Sequence, residues 1–246
     1  MTDTVTCAAS TVMCTRIRGV RVRRIASHCS ATDRHLVDAL ADMAEERGKG
    51  WWEKYKGILP PGFLDQAELE HHAVYMRAIQ MLYVPGLFQT EAYARELITS
   101  GVSNLEPAEV NARVEHRMRR REIFERLHPP KTEAFIHEAA LRMRYGPTEV
   151  MREQLAFLHE VSRWPSVTVR VVPFEARITG SVHSILYAGA AIPQLDTVQL
   201  DSAFDGGYLD AEAQLTKYRS LLDSVEAISL GCDESGTFIQ HIAQGM

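Results

Sequence analysis

The chain has 246 residues, 46% of them hydrophobic and 24% charged, with a formal net charge of -5 at pH 7. That is the composition of a globular protein long enough to bury a core of its own, and its acidic balance argues against a generic nucleic-acid binder. No run approaches the ~18 consecutive apolar residues of a membrane-spanning helix. Cys7, Cys14, Cys29 and Cys232 lack metal-ligand or redox spacing, so free thiols in a reducing cytoplasm are expected.

Residues 1–31 show no clear apolar period and are predicted to be a poorly ordered basic tail. Arg16, Arg18, Arg21, Arg23 and Arg24 against Asp3 give residues 1–30 a charge of +4, which leaves -9 on the remainder. Any nucleic-acid contact would therefore come from this head. Arg23-Arg24 is followed by no apolar run, so it does not read as a secretion signal. Thr32 is predicted to cap a linker helix within 32–50, with Leu36, Leu40 and Met43 at i, i+4 and i+7, ending at the break Gly48-Lys49-Gly50.

One main domain is expected over 51–246. Leu69, Val74, Met76, Ile79 and Leu82 suggest a helix over about 65–82, and a second follows at about 91–99. Pro107 suits the first position of a longer helix that reaches about Leu127 and is stopped by Pro129-Pro130. A strand is predicted over 132–137, and a helix begins at Gly146-Pro147. Short β-branched segments at about 167–173, 183–188 and 197–202 read as strands. Helices at about 210–227 and 233–243 close the chain. The pattern is α+β: mostly helical with a small mixed β-sheet.

Four segments occur in a telling order: GKGWWEKY (48–55), VPGLFQTEAYA (84–94), HEAALRM (137–143) and VTVRVVPF (167–174). Together they resemble the C-terminal domain of unknown function that follows an XRE-type (Cro/repressor-like) helix-turn-helix in actinobacterial regulators. The resemblance implies an α+β ligand-sensing domain. It also implies a DNA reader of about five short helices before the Trp-Trp motif. Only about fifty residues precede Trp51, and 33–47 resemble just the last helix of such a reader. No amphipathic helix pair precedes it, so sequence-specific DNA binding is not expected. Against the family pattern, Gln80 and His137 replace a usual Glu and Asp, Asp201 replaces a Glu, and Gln199 a Tyr.

The turn Val84-Pro85-Gly86 is predicted to use Gly86 for a positive φ, with Thr90 capping the helix that follows. Gln89 and Thr90, pinned between Tyr83 and Tyr93, are a candidate ligand wall, and Gln80 lies just upstream. Glu68 and His72, four residues apart, either share a proton for acid–base work or form a surface pair. His137 with Glu138 is a second candidate acid–base couple. Arg142 pairs with Glu138 or holds a ligand carboxylate. Trp52 and Tyr55, with Trp51, either anchor the core or stack a flat or cationic ligand. His71-His72 is no metal site, because adjacent helical side chains diverge by about 100° and no third ligand has supporting spacing. The run Arg117, Arg119, Arg120 and Arg121, interleaved with Glu115, Glu122 and Glu125, reads as a salt-bridged solvent face or oligomer rim.

No dinucleotide, phosphate-loop, hydrolase or zincin motif is present, and no cofactor is implied. The leading expectation is a ligand domain recruited to specialised metabolism as an acid–base catalyst on an aromatic amine or amino-acid-like substrate. A Pictet–Spengler-type condensation would need only an acid, a base and an anion anchor. The alternative is a regulator homologue that binds a metabolite or partner without chemistry. A homodimer is compatible with either, and neither needs a membrane.

Overall fold

The computed structural model describes residues 18–45, 50–101, 105–177, 182–201 and 207–246. The expectations for residues 1–17 and for the break at Gly48-Lys49 lie outside the described residues. The chain divides into two compact units, Met1–Gly48 and Lys49–Met246.

The first unit holds two helices, α1 (Gly19–His28) and α2 (Arg34–Glu45). α1 lies inside the segment predicted to be a disordered tail, and this part of the expectation is corrected. Arg23 faces Asp38, Asp42 and Glu45 of α2 at 3.2, 3.8 and 3.8 Å, and Gly19 lies against Ala41. An arginine-rich helix has little apolar period of its own. Its signal is the acidic stripe on its neighbour, which a search for periodicity does not see. The cap of α2 is Asp33, whose carboxylate accepts from the Leu36 N–H at 3.0 Å, one residue later than predicted.

The second unit contains α3 (Pro61–His72), β1 (Tyr75–Gln80), α4 (Glu91–Gly101), α5 (Pro107–Arg120), β2 (Lys131–His137), α6 (Glu138–Arg142) and α7 (Thr148–Val161). It continues with β3 (Val167–Val172), β4 (Ile185–Gly189), β5 (Thr197–Leu200), β6 (Gly207–Leu209), α8 (Glu212–Ile228) and α9 (Cys232–Gln244). The six strands form one sheet in the order β3-β2-β1-β4-β5-β6. β1, β2 and β3 run parallel, while β4, β5 and β6 pair antiparallel. The expected α+β class with a mixed sheet is the fold observed.

The helix predicted over 65–82 is in fact a helix and the central strand. α3 ends at His72, and Val74 N–H already donates to Gly189 O at 2.8 Å. Val74, Met76, Ile79 and Leu82 imitate a helical period, but β1 is covered on both faces. Met76 packs with Ile136 and Val169 against α7 and α9, while Ile79 packs with Phe135 and Ile185 against Leu215, Leu222 and Val225 of α8. A strand buried on both sides loses the alternation that would identify it.

Arg77, also on β1, fastens α8 to the sheet. It bonds Glu133 on β2 and Asp223 and Glu226 on α8, each at 2.7 Å. Among the described residues no helix is long and apolar enough to cross a membrane.

Candidate functional site

The carboxyl end of β1 leads through Tyr83 into the turn at Val84-Pro85-Gly86. The turn is not left-handed, as Gly57 alone among the described glycines has a positive φ. Pro85, at φ -48°, instead opens a single 3-10 turn over Gly86–Phe88. A Cβ at Gly86 would lie 3.4 Å from the Arg120 guanidinium, in ordinary contact with the next wall of the site.

The rest of the turn is built as predicted. Thr90 Oγ1 accepts from the Tyr93 N–H at 3.3 Å and caps α4. Buried Gln89 donates to Val84 O at 2.6 Å and so closes the turn on itself. Buried Gln154 of α7 accepts from Thr90 N–H at 2.8 Å and donates to Phe88 O at 2.7 Å, satisfying backbone groups that the turn leaves open.

Beside this turn lies a cavity of about 350 Å³, within the range of small-molecule sites. Gln80, Tyr83, Gly86 and Gln89 form one wall, and Arg113, Arg117 and Arg120 of α5 form another. Phe63 and Gln66 of α3, Leu97, Ile98 and Gly101 of α4, Ile185 and Leu186 of β4, and Gln199 and Asp201 at the end of β5 complete its described lining. The cavity thus opens where parallel β1 meets antiparallel β4, at the carboxyl ends of β1 and β5.

The three arginines differ in their partners. Arg120 is buried and forms a two-point ion pair with buried Glu70, Nε–Oε2 2.7 Å and Nη2–Oε1 2.5 Å. Arg113 pairs with Glu109 at 2.6 Å and lies over the Phe63 ring. Arg117 has no carboxylate within ion-pair distance among the described residues; its Nη1 donates to Gln89 Oε1 at 2.9 Å. Burial and the neighbouring Arg120 cation pull its pKa down to about 10, so it stays charged at neutral pH. The hydroxyl of Tyr83 donates to Asp201, the one carboxylate among the cavity's described lining residues. Burial, and then Asp201, push the Tyr83 phenol well above its usual range, so it stays protonated. Gln80 Oε1 and Gln199 Oε1 are buried with no hydrogen-bond partner.

Of the residues predicted from sequence, Gln80, Tyr83 and Gln89 line this cavity, and so do the departures Gln199 and Asp201. The others lie elsewhere. Glu68 is exposed on α3, and His72 packs its ring against His71. Because α3 ends at His72, the face expected to join them to Tyr75 or Met76 does not exist. His137 caps α6, its Nδ1 accepting from Ala139 N–H at 3.2 Å, and burial lowers its pKa. Glu138 is buried and bonds Arg142 Nε at 2.6 Å and Phe174 N–H at 2.8 Å. The Phe174 bond ties α6 to the segment after β3, and the Glu138–Arg142 ion pair, the first of the two roles weighed for Arg142, lies within α6. Trp52 and Tyr55 are core residues, edge-on to His71 and His116 respectively.

Sequence reasoning missed Arg113, Arg117, Arg120 and Glu70. The signal was available: Arg113, Arg117 and Arg120 fall at i, i+4 and i+7 on one face of α5. Glu115 and Glu122 fall outside that stripe, so the interleaved charges do not neutralise it.

The fold and cavity define an α+β domain with a polar-walled chamber between a central strand and a covering helix. Residues 63–241 match the family model described as "Domain of unknown function (DUF5753)", and the chain belongs to this family. The match spans all the cavity-lining residues and three of the four motifs noted above, leaving only the Trp-Trp segment before it. A comparison with curated proteins finds no match.

Proposed function

We propose that this chain is a small-molecule-binding domain whose ligand occupies the cavity between β1 and α5. One observation carries the reading. Arg117, a cation without a carboxylate partner among the described residues, lines a chamber of about 350 Å³. A partly buried charge left unneutralised costs stability unless something pairs with it. The resemblance to regulator C-terminal domains supports a sensing role, with any read-out passed to a separate DNA reader or protein partner. The test is a thermal-shift screen of a soluble metabolite library against the wild type and Arg117→Gln. Ligands that raise the melting temperature of the wild type and lose that effect in the variant are expected. A wild type that responds to nothing at millimolar concentration would sink the reading.

A second reading, catalysis without a cofactor, is favoured by the Tyr83–Asp201 hydrogen bond on the cavity wall. On this reading Asp201 is the base and Tyr83 the proton donor, in place of Glu68, His72, His137 and Glu138. In a Pictet–Spengler-type condensation the amine and aldehyde form an iminium and release water. The aromatic ring then attacks the iminium carbon, and Asp201 takes the ring proton. Incubation with an aromatic amine and an aldehyde, followed by mass spectrometry, tests it. Turnover that persists in Asp201→Asn would remove the role assigned to Asp201.

A further inference from the structure

The chemistry of the cavity wall narrows the ligand class, on the understanding that the cavity is a ligand site. Its charged groups do not cancel in place. Arg113 and Arg120 are answered by Glu109 and Glu70, whereas Arg117 rests only on an amide oxygen. In the same lining the carboxylate of Asp201 is held by a neutral phenol. Among the described residues, one unpaired cation and one carboxylate without a cationic partner therefore line the same chamber. Asp201 lies near enough to Arg117 to favour its charged form, yet the two form no ion pair.

Phe63, Leu97, Ile98, Ile185 and Leu186 supply an apolar lining alongside.

We infer that the cavity binds a small apolar-bodied zwitterion, an amino-acid-like molecule whose carboxylate pairs with Arg117 and whose protonated amine pairs with Asp201. Guanidinium and carboxylate meet in a two-point hydrogen-bonded pair that an ammonium cannot imitate. An ammonium has three donors and no acceptor, which matches a carboxylate. A simple anion would satisfy Arg117 and leave Asp201 as it is. A simple amine would do the reverse.

Isothermal titration calorimetry on the full chain tests the inference. The titrants are the twenty coded amino acids and γ-aminobutyrate, plus the carboxylic acid and the amine obtained by deleting one charged group from each binder. The expected result is binding of one or more zwitterions with an apolar body. Each single-charge analogue should bind at least about tenfold more weakly. Arg117→Gln and Asp201→Asn should each lose at least about tenfold in affinity for the zwitterion. The two variants should differ in kind: Arg117→Gln should no longer distinguish the zwitterion from its amine, and Asp201→Asn no longer from its carboxylic acid. Equal binding of a zwitterion and its carboxylic acid by the wild type would overturn the inference while leaving the cavity a ligand site for anions. No binding of any titrant, with Arg117-dependent hits from the wider metabolite library, overturns the inference but not the proposed function. Silence in both experiments overturns both.

Discussion

Glu70 of α3 and Arg120 of α5 hold each other through two hydrogen bonds, 2.7 and 2.5 Å long, with side chains only 1% and 5% exposed. The pair joins the two helices that wall the cavity and silences one of its three arginines. Burying two charges is costly in itself, but removing one partner is costlier, because it strands the other. Glu70→Gln is therefore expected to lower stability by about 3–5 kcal/mol, read from the urea midpoint at constant m-value. The double variant Glu70→Gln with Arg120→Met should recover much of that loss. A single variant as stable as the wild type would show that Arg120 finds another counter-charge.

His137 and Glu138 offer a sharper separation of structure from chemistry. His137 Nδ1 accepts the Ala139 N–H at the start of α6, a task that Asp also performs well. His137→Asp is expected to keep stability within about 0.5 kcal/mol, whereas His137→Ala should lose about 1 kcal/mol. Neither should change ligand affinity at the cavity, because His137 does not line it. A drop in affinity or turnover in His137→Asp with stability intact would restore the role expected from sequence.

Much of the fold could be read in the chain, and the failures have physical causes. α4, α5, α7, α8 and α9 have apolar stripes and recognisable starts such as Thr90 and Pro107, so local pattern sufficed. β1 did not: Tyr75–Gln80 follows α3 without a glycine or proline, and its pairing with β2 and β4 is a long-range event. The cavity was half legible. Gln80, Tyr83 and Gln89 belong to one contiguous segment whose composition marks it. Arg117 looks like any surface arginine until α5 is laid over the end of β1. Glu70 is one carboxylate among several on α3 until Arg120 arrives from fifty residues away.

Two glycines should respond unequally to the same change. At Gly189 of β4 a Cβ would sit 1.9 Å from the Tyr75 ring, which packs over that position. Tyr75 cannot move freely, since its hydroxyl bonds Asp196 at 3.2 Å. Gly189→Ala is expected to cost about 1–3 kcal/mol through overpacking. At Gly86 the added methyl meets the Arg120 guanidinium at 3.4 Å, an ordinary contact. Gly86→Ala should stay within about 0.5 kcal/mol of the wild type. A ranking in the opposite order by thermal or urea unfolding would refute this account of the strand end and the turn.

His116 sets the acid limb of stability. It is fully buried among Trp51, Tyr55 and Phe63, with neither ring nitrogen hydrogen-bonded. Burial first, then the cations Arg120, Arg117 and Lys54, pull its pKa down to about 3. The folded ring is therefore neutral over the whole range in which an unfolded histidine, with a pKa near 6.5, takes up a proton. The unfolded state binds more protons between those two values, so stability is full above about pH 6.5 and falls as pH drops toward 3. The slope from this group alone is at most about 1.4 kcal/mol per pH unit. His116→Phe places a ring of similar size in the aromatic nest without a titrating nitrogen. Its unfolding free energy is expected to change much less than that of the wild type between pH 6.5 and 5, a window above the carboxylate titrations. Parallel pH profiles for the two proteins over that window would show that His116 is protonated in the fold.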